Sequence, residues 1–279
     1  MALSSTDFEF IRRLVLQRAA IVLEDNKSYL VEARLLPVAR QEGLSSISDL
    51  VTRLRSSERG HLHEKVVEAM TTNETSFFRD FQCFESLRME ILPQLVKRRT
   101  DTRLIEIWCA ASSTGQEPYS IAMIVKEYFS HLKDWTFRLI ATDLSRDVLE
   151  RARQGRYSQI EVNRGLPAPL LVKYFQKVGQ NWQIRDDIRA IVEFRELNLI
   201  DKRWNVTSAD IVFLRNVLIY FDVATKKSIL TRVREILRPD GYLFLGGSET
   251  TMNLDDTFER HGPERSCCYR LRESIIRGK

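Results

Sequence analysis

The sequence has no apolar run that approaches the roughly 20 residues needed to span a bilayer. Its first residues, 1–7, show no basic segment followed by an apolar stretch, which is the pattern of a secretory signal. The chain contains only four histidines and four cysteines, and no two cysteines form the CxxC pair of a metal site. We therefore expect a cytoplasmic protein with no direct membrane insertion, no bound metal and reduced, mostly buried thiols.

The sequence also lacks a large excess of charge. Its net charge is +5, from 43 Lys and Arg against 38 Asp and Glu. The basic run at 97–99 is typical of a solvated helix end, where cations complement the helix dipole. A nucleic-acid-binding surface needs a denser basic stripe with interleaved aromatic residues. The composition thus permits an acidic partner and does not favour nucleic acid.

Two regions of different pattern divide the chain. In residues 1–72, apolar residues recur at three- and four-residue steps, as between residues 8 and 19, which predicts short amphipathic helices. Pro37 is expected to kink or end the second of these helices. We predict a small helical domain over residues 1–72 and a second domain over residues 73–279. The chain shows no long heptad pattern, so we expect a monomer.

Short apolar strands alternate with helices in the second region, which predicts an α/β fold with a parallel sheet. The pattern around Gly179 predicts a hairpin, in a small antiparallel β insertion at about residues 170–190. The loop 109–115 after the first strand has one glycine and lacks the G-x-G-x-x-G spacing of a pyrophosphate loop, which argues against NAD and FAD. The predicted strands are 103–108, 137–142, 173–178, 182–185, 190–194, 211–214, 242–245 and 267–271.

Two acidic residues stand where predicted elements meet. Asp143 ends the second strand of the sheet, where a carboxylate can accept hydrogen bonds from both hydroxyls of a ribose, but aspartate is also favoured as a helix N-cap. Glu117 precedes Pro118 at a helix start, where an anion is common, and it could also hold the ammonium of an amino-acid moiety. The residues alone leave both alternatives open.

Five segments, in order along the chain, resemble motifs of the CheR family of chemoreceptor methyltransferases. The resemblance runs nearly from end to end, and the order of the segments makes it far more specific than any single one. It implies a Rossmann-like S-adenosylmethionine-dependent methyltransferase sheet behind a small all-helical N-terminal domain. The segments are 70–80 (MTTNETSFFRD), 108–122 (WCAASSTGQEPYSIA), 141–145 (ATDLS), 198–199 (NL) and 213–221 (FLRNVLIYF).

The resemblance implies an activity and a set of contacts. The activity is methyl transfer from S-adenosylmethionine to glutamate side chains of bacterial chemoreceptors, which forms glutamyl methyl esters for sensory adaptation and leaves S-adenosylhomocysteine. Without the resemblance, Asn73 and Thr75 would be interpreted as helix-capping residues. The positions that match the family's cofactor contacts are Asn73, Thr75, Arg79, Glu117, Asp143, Asn198, Leu199, Arg215 and Asn216.

This methyl transfer requires little acid or base catalysis. A glutamate carboxylate is ionised at pH 7, and a sulfonium is already an activated donor, so what remains for the protein is in-line positioning. We hypothesise that Arg79 and Tyr220 orient the incoming carboxylate. Alternatively, Arg79 serves only the carboxylate of the cofactor, and Tyr220 is an aromatic residue packed on a helix.

The resemblance further implies that a basic helix of the N-terminal domain contacts the cytoplasmic helices of chemoreceptors. The corresponding stretch offers Lys27, Arg34 and Arg40. The hairpin around Gly179 is short, which favours no docking of a receptor tail on the β insertion. Two other functions stay open: methyl transfer to a small molecule or nucleic acid, and a non-catalytic signalling module that keeps the fold.

Overall fold

The structure is a computed structural model that describes residues 3–56, 60–262 and 266–273. The chain forms two compact units, one of residues 1–72 with 220–225 and one of residues 73–219 with 226–279. Across the described ranges, no helix is both long enough and apolar enough to cross a membrane.

The first unit is helical over its described residues. Ser4 and Ser46 cap two of its helices, because their side chains accept hydrogen bonds from the backbone N–H groups of Asp7 and Asp49. Each helix buries one apolar stripe, as the spacing of its apolar residues predicts. The helices are α1 (Ser5–Ala19), α2 (Ser28–Gln41), α3 (Ile47–Arg55) and α4 (His61–Met70).

Pro37 lies inside α2 and does not end it, since the helix continues to Gln41. Proline removes one backbone hydrogen bond and crowds the preceding turn. The next two residues, Val38 and Ala39, are buried, so packing of the apolar stripe favours continued helix beyond the proline. Of the two outcomes expected at this position, the helix end is therefore wrong.

The second unit contains a seven-stranded sheet in the order β6-β2-β1-β7-β8-β10-β9. The first five strands in this order are mutually parallel, whereas β10 is antiparallel to both β8 and β9. The predicted α/β, Rossmann-like class is confirmed. The strands of the sheet are β1 (Leu104–Ala110), β2 (Thr136–Asp143), β6 (Val192–Glu196), β7 (Ala209–Leu214), β8 (Leu237–Leu245), β9 (Phe258–Arg260) and β10 (Cys268–Leu271).

Helices connect the strands of this unit. The central strand β7 is buried along its whole length, which is typical of parallel strands covered on both faces. Phe213 and Phe244 stack at 4.5 Å between neighbouring strands in the core. The helices are α5 (Phe81–Ser86), the π-helical turn Leu87–Ile91, α6 (Leu92–Arg98), α7 (Gln116–Tyr128), α8 (Arg146–Gln154), α9 (Gln159–Asn163), α10 (Ala168–Tyr174), α11 (Asp186–Arg189), a 3-10 turn (Leu218–Tyr220) and α12 (Val223–Ile236). Residues 220–225 of the last two elements are grouped with the first unit.

The predicted β insertion is a small antiparallel sheet in the order β3-β5-β4. The hairpin pairs β4 (Phe175–Val178) with β5 (Asn181–Ile184), and β3 (Arg156–Ser158) adds a third strand. The predicted start of the first hairpin strand is wrong, because Lys173 and Tyr174 end helix α10. The third strand has only three residues, too few for a recognisable alternation.

The cysteines differ from the expectation of reduced thiols. Cys83 and Cys267 form a disulfide, with 6.0 Å between their Cα atoms, whereas Cys109 and Cys268 are free and buried. Burial raises the pKa of both free thiols. The expectation is wrong for the bonded pair, because 184 residues separate the two cysteines and only tertiary folding makes them neighbours.

Candidate functional site

The sheet of the second unit has its switch point between β1 and β7. From β1 the chain proceeds to β2 on one side, and from β7 to β8 on the other. In open α/β sheets, ligands bind beyond the carboxyl ends of the strands at this point. The loops that follow β1 and β7 therefore belong to the candidate site.

The loop after β1 is a compact turn that leads into α7. Three of its residues, Ala111, Ser113 and Gly115, have positive φ angles. A Cβ added to Gly115, whose φ is +92°, would lie 3.0 Å from the Cβ of Ala152, so a side chain there would clash as well as strain the backbone. The one glycine of the loop is thus required for close packing against α8.

Asp143 joins this loop to the end of β2. Its buried carboxylate accepts hydrogen bonds from the backbone N–H groups of Ser113 and Ser145, at 2.8 and 3.0 Å. The N-cap of α8 is Ser145, whose hydroxyl accepts from the N–H of Val148. The capping alternative for Asp143 is therefore wrong, and its carboxylate lies at the carboxyl edge of the sheet.

Glu117 and Arg215 form a buried ion pair at the same edge. Nη1 of Arg215 lies 2.8 Å from Oε2 of Glu117, and Nη2 donates to the backbone oxygen of Arg79 and to Oδ2 of Asp80. Burial raises the pKa of Glu117, and the charge of Glu249 adds to the rise, while Arg215 and Arg79 oppose it. This network brings three of the sequence-predicted cofactor residues together.

The segment from Asn73 to Asp80 is bonded to the loop after β1 and to helix α7. The carbonyl oxygen of Asn73 accepts a hydrogen bond from the hydroxyl of Ser113, and the N–H of Phe78 donates to the hydroxyl of Ser120. The N-cap position of α5 is Asp80, so Asn73 and Thr75 do not cap that helix. The simpler interpretation of these two as capping residues is wrong.

Asn198 and Leu199 follow β6, again at the carboxyl edge. Oδ1 of Asn198 accepts from the N–H of Ile200, and Leu199 is buried. The guanidinium of Arg232 donates to the carbonyl oxygens of Leu199 and Asp201. Arg232 thus holds the backbone of this loop, a role that sequence reasoning missed because α12 carries no motif.

Asn216 follows Arg215 and has a φ of +58°, a left-handed conformation that asparagine tolerates. Its backbone N–H donates to Oε2 of Glu249 at 2.7 Å. Sequence reasoning also missed Glu249. The signal that could have indicated it is the polar run Gly246-Gly247-Ser248-Glu249 directly after a buried strand.

The remaining predicted residues lie in the first unit. The carbonyl oxygen of Tyr220, a partly buried residue, accepts from the N–H of Val22. Nζ of Lys27 lies 3.9 Å from Oε2 of Glu24. Arg34 donates to the carbonyl oxygens of Met70 and Thr71 and to the hydroxyl of Thr72, at 2.7, 2.9 and 3.0 Å.

Arg40, in the last turn of α2, is exposed. Of the three basic residues predicted to contact a partner, Arg34 is therefore engaged by the carboxyl end of α4, and Arg40 faces solvent. A helix end with unpaired carbonyl groups is stabilised by such a donor.

The site in the second unit fits a nucleoside that bears an amino-acid chain. Asp143 can accept hydrogen bonds from ribose hydroxyls, Glu117 can pair with an ammonium, and Arg79 and Arg215 can pair with a carboxylate. Ser112 Oγ and Arg215 Nε are buried without a hydrogen-bond partner among the described residues. Buried polar atoms of this kind are suited to pair with a bound group.

Comparison with known proteins agrees with this chemistry. Residues 6–71 match the family model "CheR methyltransferase, all-alpha domain", and residues 73–266 match "CheR methyltransferase, SAM binding domain". A chemotaxis protein methyltransferase of Pseudomonas aeruginosa is 44% identical over 93% of this chain and 95% of its own length. One of Vibrio parahaemolyticus is 36% identical over 98% of this chain and 99% of its own length.

The two family matches cover the helical and the α/β regions in the order in which they occur in the chain. The relatives match over nearly their whole lengths. The chain therefore belongs to the CheR family of S-adenosylmethionine-dependent methyltransferases.

Proposed function

We propose that this enzyme methylates glutamate side-chain carboxylates of bacterial chemoreceptors and that the glutamyl methyl esters serve sensory adaptation in chemotaxis. The observation that carries the proposal is the match through both regions to proteins named chemotaxis protein methyltransferase, at 44% identity for the Pseudomonas aeruginosa relative. The match includes the helical region, which the family's SAM-binding domain does not contain.

The cofactor is held, in this proposal, by residues at the carboxyl edge of the sheet. Asp143 binds the ribose hydroxyls, and its two backbone donors orient its carboxylate before the cofactor arrives. Glu117 binds the ammonium, and Arg215 favours its ionised form. The other proposed contacts are Asn73, Thr75, Arg79, Asn198, Leu199, Arg215 and Asn216.

The transfer then depends on alignment. When bound, S-adenosylmethionine supplies an activated methyl group on a sulfonium. A glutamate carboxylate attacks as an anion at neutral pH, so no residue has to remove a proton. We assign Arg79 and Tyr220 to orient this carboxylate, because both side chains donate hydrogen bonds and one carries a compensating charge.

Recognition of the receptor is assigned to the helical domain of residues 1–72, through Lys27, Arg34 and Arg40. Receptor helices that present acidic side chains would be attracted to a basic helix face. Arg40 is exposed, so it is the strongest candidate for direct contact, whereas Arg34 already donates to three acceptors within the unit.

The decisive experiment uses a purified cytoplasmic fragment of a chemoreceptor and S-adenosylmethionine with a labelled methyl group. We expect label in the fragment and its release as methanol in mild alkali, because glutamyl esters hydrolyse there. Label that resists alkali would indicate an N- or C-methylated product and contradict the proposal. A fragment with its acceptor glutamates changed to alanine is the matched control.

A further inference from the structure

One buried carboxylate connects the loops that follow the two neighbouring strands β7 and β8. Oε2 of Glu249 accepts hydrogen bonds from the N–H groups of Asn216 and Gly246, both at 2.7 Å. Oε1 accepts from the N–H groups of Val217 and Ile219, at 3.0 and 3.3 Å. Since β7 and β8 are parallel, both loops lie at the carboxyl edge that holds the candidate site.

Gly246 lies close to the side chains of both Asn216 and Glu249. A Cβ on Gly246 would lie 2.5 Å from Nδ2 of Asn216 and 2.8 Å from Oε2 of Glu249. Asn216 itself has a φ of +58°, a conformation that costs an ordinary residue free energy. The side-chain amide of Asn216 therefore lies close to Gly246, while its backbone N–H is held by the carboxylate of Glu249.

Four backbone N–H groups converging on one carboxylate form a nest for an anion, and hydrogen bonds to an ionised acceptor are the stronger kind. A glutamine at position 249 has nearly the same shape but only one acceptor oxygen. Its NH₂ group would face two N–H donors, so those two donors would be left buried and unpaired. The loop that contains Asn216 and Val217 would then leave its conformation.

We propose that Glu249 is a positioning residue for methyl transfer: it holds the 215–219 loop in the conformation in which Asn216 contacts S-adenosylmethionine. The inference rests on the proposed cofactor contact of Asn216. Glu249 touches neither cofactor nor substrate in this proposal and acts through the loop whose backbone it binds.

The test compares Glu249→Gln with a control variant, Asp210→Asn, in the same sheet. Asp210 is a fully buried carboxylate at the start of β7, where it accepts hydrogen bonds from the backbone N–H of Glu106 and from Arg99. It lies at the opposite end of β7 from Asn216. Both variants lose buried hydrogen bonds, and only one of them loses bonds to the cofactor loop.

The first readout is the dissociation constant for S-adenosylhomocysteine, measured by calorimetry well below the unfolding temperature. The second is the urea concentration at the midpoint of unfolding. Both variants are expected to unfold at lower urea. Glu249→Gln should bind S-adenosylhomocysteine about tenfold more weakly or worse, and Asp210→Asn should bind it like wild type. Equal binding by Glu249→Gln and wild type would show a merely structural role and overturn the proposal, as would equal weakening in both variants.

Two further variants keep the result interpretable. Gly246→Ala keeps the carboxyl group, but its Cβ would push on the side-chain amide of Asn216 and on Oε2 of Glu249. It should therefore also weaken binding about tenfold, even if Glu249→Gln fails to fold. Asn216→Ala tests the contact on which the inference rests. Normal binding of S-adenosylhomocysteine by Asn216→Ala would refute that contact. If Asn216→Ala binds weakly but Gly246→Ala and Glu249→Gln bind normally, only the positioning role of Glu249 is refuted.

Discussion

The guanidinium of Arg215 lies 2.8 Å from the carboxylate of Glu117, and the two side chains are 1% and 12% exposed. Ninety-eight residues separate them in the sequence, and they meet because β7 ends beside the start of α7. Moving two charges out of water costs free energy that their attraction offsets only when both are present. Each partner of the pair therefore offsets the cost of burying the other's charge.

Replacing only one partner of this pair should be worse for stability than replacing both. Arg215→Met leaves the Glu117 carboxylate buried without its cation and is expected to lower the free energy of unfolding by about 3 kcal/mol. The double variant Arg215→Met/Glu117→Gln should regain most of that loss, since no unpaired charge remains buried. Urea unfolding measures both effects, and a double variant as unstable as the single one would contradict the coupling.

Cofactor binding should not recover with stability in this double variant. Glu117 and Arg215 are both proposed cofactor contacts, and the double variant lacks both charges. Calorimetric titration with S-adenosylhomocysteine is expected to show weak binding for the single and the double variant alike. Recovery of binding along with stability would instead assign the pair a structural role only.

The affinity for the cofactor should depend on pH through Glu117. Burial raises its pKa, so on acidification its carboxylate takes up a proton at a higher pH than an exposed glutamate does. The ionised form, which pairs with an ammonium, is present above the raised pKa and is lost as the pH falls through it. Affinity for S-adenosylhomocysteine should fall in that window, and Glu117→Gln should be weak at every pH.

The raised pKa of Glu117 has the opposite effect on stability: acidification should stabilise the fold while it weakens cofactor binding. A carboxyl group whose pKa is higher in the folded than in the unfolded state binds protons more tightly when folded. Glu117 therefore lowers the free energy of unfolding above its raised pKa, and acidification through that pKa relieves the cost. Urea midpoints measured across this pH range should therefore include a stabilising contribution from Glu117 as the pH falls. The Glu117→Gln variant should lack that contribution.

Arg99 should contribute to stability and not to activity. It pairs with Asp210 and Asp240, in contacts of 2.8 and 2.6 Å at the amino ends of the strands. Arg99→Met removes one cation from the fully buried Asp210 and leaves Arg238 beside it. The variant should therefore lower the free energy of unfolding by about 3 kcal/mol. The dissociation constant for S-adenosylhomocysteine should stay that of wild type.

The loss of stability caused by Arg99→Met should itself depend on pH. The hydrogen bond from Arg99 holds the pKa of Asp240 below its ordinary value of 3.8. Stability from a lowered pKa is present above the ordinary value and is lost as the pH falls through the folded one. The difference in urea midpoint between wild type and Arg99→Met should therefore narrow below about pH 4, and a constant difference would contradict the assigned cause.

Tyr220→Phe and Arg79→Ala test the orienting residues. Tyr220→Phe removes one hydrogen-bond donor and should lower kcat about tenfold with unchanged affinity for S-adenosylhomocysteine. Arg79→Ala should lower kcat too, and a fall in affinity would show that Arg79 also holds the cofactor. Either variant would refute its assignment by binding cofactor and methylating the receptor fragment at the normal rate.

Two arginines of α2 should differ in effect. Arg40→Glu reverses an exposed charge and should raise KM for an acidic receptor fragment while leaving the urea midpoint unchanged. Arg34→Met removes donors from the carbonyl oxygens of Met70 and Thr71 and should lower the midpoint. A normal KM for Arg40→Glu would remove this helix face from the proposed receptor contact.

The parallel strands could be predicted from the sequence because the signal for each is local. β1 and β7 are short apolar runs bounded by polar turns, and a strand covered on both faces requires nothing else. The location of Asp143 and Glu117 at the carboxyl edge of the sheet could be predicted as well, since they stand at a strand end and a helix start. Their proposed contacts with the cofactor came from the family resemblance. The order of the family motifs added the activity.

Only the tertiary structure decided how these residues are held. Glu249 accepts hydrogen bonds from backbone N–H groups about 30 residues away, and no residue type at those distant positions indicates the donors. Distance along the sequence likewise hid the carbonyl acceptors of Arg232 and the pairing of Cys83 with Cys267. The sequence by itself thus determined the family and the fold class, because these depend on local patterns and on the order of motifs. Packing between distant segments decided which contacts hold the residues of the candidate site.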